Sequence, residues 1–207
     1  VIFGTRVSLA SGFVAVIIAT VIGVLLGSLA GYFGGKVDSV IMRFIDVFLV
    51  IPRFILLLII LSLFGGTIIV IVVLIGLTLW PPVARLVRAE FLSVKEREFV
   101  MAAHAVGAST RHIVFREILP NALYPAIIEG SLQVGFAIMT EAALSFLGLG
   151  DPSSISWGRL LNDALPFFQK AWWLAVPPGI MISVTVLAFN LVGDGLNDAF
   201  NPQLKER

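Results

Sequence analysis

Residues 98–120 read EFVMAAHAVGASTRHIVFREILP, a charged, glycine-broken stretch set between two of the most apolar runs of the chain. Whether this stretch crosses lipid decides the fold. Glu98, Arg111, Arg116 and Glu117 would each cost about 2.5–3.5 kcal/mol at the centre of a bilayer even on the lenient insertion scale, so the stretch belongs in water or against protein. Its apolar residues still recur as they do in helices. Phe99, Val100, Ala103 and Val106 fall on one face, and Ile113, Val114 and Ile118 on one face of a second short helix. Gly107 is expected to cap the first helix, Ser109 or Thr110 to start the second, and Pro120 to stop it. Arginine and glutamate cover the remaining faces. The product is either a compact apolar knob rimmed with charge for a cytosolic partner, or a helix pair lying on the lipid surface.

The rest of the chain is made for lipid. Of its 207 residues 58% are hydrophobic and 13% charged, against about 45–50% and about 25% in ordinary globular domains, so an integral membrane protein is expected. The net charge of +1 suggests neither nucleic acid nor an acidic substrate as partner. There are no cysteines, which removes disulfides, thiolate metal sites and cysteine nucleophiles together.

A bilayer core of about 30 Å needs about 20 mostly apolar helical residues, and five stretches meet that length. They run from about Ser8 to Phe33, Phe44 to Phe64, Thr67 to Ala84, Asn121 to Leu149 and Trp173 to Val192. The expected fold is therefore all-α, a polytopic transmembrane bundle forming a single domain over residues 1–207. Lysine and arginine orient it. Lys36, Arg43, Arg85, Arg88, Lys95, Arg97, Arg111, Arg116, Lys205 and Arg207 mark the cytoplasmic face, whereas the opposite face has only Arg6, Arg159 and Lys170. Arg53 lies ambiguously inside the second span. Residues 90–120 form a cytosolic loop and residues 150–172 an outer one, where Trp157, Trp172 and Trp173 suit an interfacial aromatic belt.

Two patterns concern the spans themselves. Ser11, Ala15, Ala19, Gly23, Gly27, Gly31 and Gly35 recur every fourth residue, a ridge of small side chains suited to close helix packing inside the fold rather than to a subunit interface. The other four spans carry prolines, namely Pro52, Pro81 with Pro82, Pro125, and Pro177 with Pro178. Kinks are expected at each, serving a gated pathway or plain packing.

Catalytic and nucleotide motifs are missing from the sequence. Gly35-Lys36 has Ala30 where a phosphate-binding loop needs glycine, and the two Gly-x-Gly triplets continue to Ser153 and Asp198. If ATP drives the protein, another chain binds it. His104 and His112 lack metal-ligand spacing and read as solvated loop residues. The fourth span carries Glu129, Gln133 and Glu141, and intramembrane carboxylates default to functional candidates. Twelve residues put the two glutamates about 18 Å apart along the axis, so they form no paired site. Glu129 reads as hydrated, and Glu141 as a buried hydrogen-bonded group or a pathway contact. Asn190 in the last span reads as a buried amide bridging helices, with substrate contact as its alternative.

The stretch at 98–120 resembles the EAA loop of permease subunits of binding-protein-dependent ABC importers, a Glu-Ala-Ala, three residues, Gly, and a spacer ending in Leu-Pro. Ala102, Ala103, Gly107, Leu119 and Pro120 match in register, while Met101 stands at the usual glutamate and Glu117 at the usual isoleucine. GTRVSL with LLGSLAGYFGG, TEAALSFLGLGDPSSISWGRLLNDA and VLAFNLVGDGLNDAFNPQLKER extend the likeness over the whole chain, toward the second permease of dipeptide, oligopeptide and nickel importers. The resemblance implies a permease with a type I importer fold and no catalysis of its own. It also implies an additional first span upstream, six in all, consistent with an opening VIFGTRVSLA that has neither methionine nor a signal-peptide pattern. The implied partners are a homologous second permease, two cytosolic ATPases that carry ATP and Mg²⁺, an extracytoplasmic substrate-binding protein, and a peptide, nickel chelate or other small solute. The implied coupling residues are Phe99, Met101, Ala102, Ala103, Gly107, Ala108, Ser109, Leu119 and Pro120, and the pathway candidates are Gln133, Glu141 and Asn190. A prokaryotic plasma membrane is the expected location. The rival readings are an ion-coupled secondary transporter with Glu141 as proton relay, favoured by inverted repeats that the chain does not display, and a purely structural membrane scaffold.

Overall fold

The computed structural model describes residues 1–200, so Lys205, Arg207 and the end of the tail motif lie outside the described residues. Eight helices carry the fold. They are α1 (Ile2–Phe33), α2 (Gly35–Val50), α3 (Arg53–Phe64), α4 (Ile68–Lys95), α5 (Glu98–Ala105), α6 (Thr110–Leu149), α7 (Trp157–Ala164) and α8 (Val176–Phe200). Irregular helical turns join α7 to α8. The helices α1, α4, α6 and α8 are each long and apolar enough to cross a membrane, and α2 and α3, bent by 76° at their junction, meet the same criterion only as a pair. No strand occurs among the described residues.

The small-residue ridge of α1 decides how the bundle closes. A Cβ at Gly23 would stand 2.6 Å from Val83 Cβ, one at Gly27 2.5 Å from the Ala84 carbonyl, and one at Gly31 2.5 Å from Phe91 Cβ. These are α4 atoms, so the two helices meet backbone to backbone. Gly76 of α4 returns the favour, with Ala15 O and Ile18 Cβ each 2.8 Å from the position its Cβ would take. Close approach replaces the hydrophobic drive that lipid cannot supply between helices. The ridge is thus an internal seam, and it ends at Gly31, because Gly35 already belongs to α2 and faces open space. Ion pairs from Arg88 to Asp38 and from Arg85 to Asp46 tie α4 to α2, and Lys95 donates to the Tyr32 carbonyl at the end of α1 (2.7 Å).

Several elements differ from expectation. The second span is two helices, because Pro52 holds Ile51 extended (φ −78°, ψ 122°) and ends α2 at Val50. Pro81 and Pro82 lie inside an unbroken α4, and Pro177 and Pro178 occupy the first turn of α8, where a missing N–H costs nothing. Pro120 does not stop a helix either: α6 runs through it from Thr110 to Leu149. A π-helical turn at Ile113–Ile118 precedes that proline, with Leu119 N bonded back to Val114 O. The widened turn takes up the misfit, and Asn121 Nδ2 donates to the Glu117 carbonyl (2.7 Å).

The connection at 150–172 is largely helical rather than loop. Trp157 is fully buried, unlike the exposed Trp172 and Trp173. Its amide donates to Ser8 Oγ (3.0 Å) and its ring lies against Gly4, so only the other two tryptophans suit a membrane surface. Asp151 ties the same turn to α4, accepting from Ser153 Oγ (2.6 Å), Ser153 N (2.8 Å) and the first-turn amide of Ile68 (3.0 Å). Those donors, led by the Ser153 hydroxyl, hold its carboxyl at about 2. A carboxyl lowered on folding stabilises fully above its unfolded value of about 3.9 and loses that contribution as pH falls through the folded one. Pepsin is therefore expected to cut the 150–156 turn slowly at pH 4 and readily at pH 2, and Asp151→Asn to remove the difference.

Candidate coupling knob and transmembrane polar groups

α5 ends in a closed turn. Gly107 has φ 78°, Ala108 N bonds to Ala103 O (3.0 Å) and Gly107 N to His104 O (3.0 Å), the two hydrogen bonds of a Schellman cap. Ser109 then opens α6, its hydroxyl accepting from His112 N (3.3 Å). Of the two starts expected, Ser109 is the one used.

Val100, Ile113 and Ile118 are fully buried beneath this turn, against Val87, Phe91 and Val94 of α4 and Ala122 and Ala126 of α6. The π-turn explains why residues five apart, Ile113 and Ile118, share one side. Ala103, Ala108, Val114 and Leu119 are partly buried around that core. The knob therefore has an interior continuous with two spans. Its outer surface carries Phe99, Met101, Ala102, Gly107, Ser109 and Pro120, all exposed.

Phe99 is expected on the inner face but is exposed, and so is Val106, at 83%. Val106 lies beyond the last helical residue, Ala105, so the helical period no longer applies to it. Phe115 is also exposed, at 64%. The expected coupling residues thus divide: Ala103, Ala108 and Leu119 face inward, whereas Met101, with Val106 beside the expected set, is apolar and exposed, and Phe115 is exposed on the side toward α1. His104 and His112 are exposed, and His112 lies 3.4 Å from Glu117.

The transmembrane polar candidates do not converge. Glu141 is fully buried near the other end of the bundle, accepting from Ser145 Oγ (2.7 Å) among the hydroxyls of Ser8 and Ser156. That bond stays within α6, the other Glu141 oxygen is buried without a partner, and Ser8 joins α1 to α7 by accepting from Trp157 N. Gln133 is buried lower on α6 and donates to Glu129 Oε1 (2.9 Å). Asn190, expected to be a buried bridge, is exposed on α8 and bonds to no other helix among the described residues. Its face of α8 also shows Val184, Leu187 and Leu191, an apolar side that this chain leaves uncovered. No group of three metal-ligating side chains assembles among the described residues.

Residues 23–206 match the family described as binding-protein-dependent transport system inner membrane component. The chain belongs to that family. This permease is 41% identical over 206 residues to the dipeptide transport system permease protein DppC of Alkalihalophilus pseudofirmus, covering 99% of this chain and 68% of the relative. It is 40% identical to the Bacillus subtilis protein of the same name, covering 98% of this chain and 64% of that relative. It is also 40% identical to the glutathione transport system permease protein GsiD of Pectobacterium atrosepticum, covering 99% and 68%. The permease thus spans about two thirds of the length of these relatives. In fold it is similar to a chain of the inward-facing MetNI methionine ABC transporter, with TM-score 0.74 and 19% identity over 96% of this chain and 94% of that one. A chain of an amino acid ABC transporter solved with histidines gives 0.65 and 19%, over 98% and 93%.

The all-α permease fold and the family expectation both hold. The main reading stands over the ion-coupled carrier, and the protein is a multi-pass component of an inner membrane.

Proposed function

We propose that this permease forms half of the translocation path of an ATP-driven importer of short peptides, with the knob at 98–120 docking a cytosolic ATPase. The observation that carries the reading is the knob itself. Met101 and Val106 are apolar and exposed, the stretch around them carries the charges of Glu98, Arg111 and Arg116, and the whole is built on a core shared with α4 and α6. A surface of that kind marks a protein contact, and its shared core gives a push on the knob a direct route to the spans. The concentration of lysine and arginine at this end supports a cytoplasmic placement of the knob and of the C-terminus. ATP and Mg²⁺ reside on partner ATPases, a homologous permease completes the path, and an extracytoplasmic binding protein delivers cargo. The relatives named for dipeptides and glutathione support a peptide cargo.

Gentle solubilisation from the native membrane, followed by mass spectrometry of every co-purifying chain, tests this. A second permease and nucleotide-binding chains are expected. A permease that purifies alone and still transports solute would overturn the proposal. Met101→Asp combined with Val106→Asp is expected to weaken ATPase association about tenfold, as for an apolar anchor made polar at an interface, while Ala103, turned inward, affects folding before docking. ATPase recovered in undiminished yield with the double variant would remove the knob from the contact.

A further inference from the structure

The permease leaves one cation inside the membrane without a direct partner. Arg53 begins α3 at the break of the second span, half-buried, and makes no hydrogen bond or ion pair with any described residue. Its guanidinium lies over the Phe136 ring, 5.5 Å from the centroid. Phe136 sits near the middle of the stretch from Asn121 to Leu149, about 20 Å from each end at 1.5 Å per residue, so this charge is close to the bilayer midplane. A charge there is tolerated when it faces the bundle or a water-filled cavity.

Arg53 borders a cavity, and the acidic group nearest to it on α6 is engaged elsewhere. A space of about 180 Å³ opens beside it, lined by Pro52, Arg53, Thr78 and Phe136 among others. Ile51 and Pro52 are non-helical and exposed, and irregular backbone at this depth persists only where it is buried in protein or borders water. On α6, Glu129, Gln133 and Phe136 follow at i, i+4 and i+7 and so share a face. Gln133 is 94% buried, with Oε1 unpartnered and Nε2 engaged by Glu129. That hydrogen bond holds the Glu129 carboxylate on Gln133, and it acts on Arg53 only through space. The guanidinium donors therefore stay available.

Resting on the importer reading above, we propose that Arg53 lines the translocation path and receives a carboxylate of the cargo at the membrane midplane, giving the permease its own preference for free-acid over amidated substrates. A guanidinium offers five donors in a fork that matches a carboxylate, and the unsatisfied first-turn amides of α3 add positive potential at the same point.

The test reconstitutes the intact complex, as purified with its partner chains, in proteoliposomes. ATP-driven uptake is measured for di- and trialanine and for their C-terminal amides. Arg53→Gln is expected to lower the acid-to-amide uptake ratio fivefold or more, chiefly through KM for the acid, and Arg53→Lys to retain part of the preference. Because the chain has no cysteine, Arg53→Cys permits a rescue: a water-borne thiol reagent carrying a cation is expected to restore the ratio, and an anionic one to depress it. A ratio unchanged in Arg53→Gln, or acid and amide uptake lost equally with no rescue by charge, would overturn the assignment alone. No uptake of either peptide by the unmodified complex would overturn the cargo reading and this assignment with it.

Discussion

Gly27→Leu is expected to leave almost no folded permease in the membrane. The added Cβ would lie 2.5 Å from the Ala84 carbonyl and 2.9 Å from Val87 Cβ, and the first of these is backbone that no rotamer change moves aside. Overpacking costs about 1–3 kcal/mol in forgiving sites. Here relief requires α1 and α4 to separate, which also loosens the neighbouring Gly23 and Gly31 contacts. Accumulation in membranes should fall about tenfold or more, since marginal proteins are cleared when unfolded. Gly179→Ala, at a position with open space around it, is the control and should accumulate normally. Fluorescence-detected size-exclusion chromatography of tagged permease reads both. A well-behaved Gly27→Leu peak would mean that the α1–α4 seam does not limit the fold.

Gly107→Val is expected to do the opposite, leaving the permease in the membrane while uncoupling it. Nothing lies within 4 Å of the added Cβ, so the substitution introduces no clash. Its effect comes from φ 78° alone. A left-handed conformation costs an ordinary L-residue about 1–2 kcal/mol, and a β-branched one is a genuine outlier there. The Schellman turn should open, and with it the fixed angle between α5 and α6 that presents Met101 and Val106 together. Substrate-stimulated ATP hydrolysis by the assembled complex should drop about tenfold, the rate equivalent of roughly 1.4 kcal/mol. Gly107→Asn, which tolerates the left-handed region, should keep most of it. Full stimulation in Gly107→Val would separate the turn from coupling.

The spans were legible in the sequence because lipid imposes one rule on every residue of a span, and a ridge such as Gly23, Gly27 and Gly31 has few other uses. The knob was legible for a related reason: four charges cannot enter the bilayer, and Gly107 announces a turn. What escaped depended on neighbours. Pro52 breaks its span whereas Pro81 and Pro82 do not, although the sequence marks all three alike; Pro81 is buried and Pro82 half-buried within α4, and Pro52 is exposed. Pro120 reads as a stop until the π-turn before it is known. Trp157 looked interfacial because its partners, Gly4 and Ser8, lie about 150 positions away. Arg53 remained ambiguous since its surroundings, Phe136 and Thr78, come from two other helices.

The length of α6 carries a mechanical implication. Forty residues at 1.5 Å each make a rod about 60 Å long, with the Schellman turn at one tip and the Glu141–Ser145 contact near the other. A stiff rod cannot absorb displacement along its axis. A shift of the knob end must therefore reappear at the far tip, or be let out at the π-turn of Ile113–Ile118 or at the turn of Ser145–Leu149, where Gly148 (φ 84°) leaves the helical conformation. Stiffening either turn should change the timing with which the two membrane faces follow each other, even with every contact surface intact.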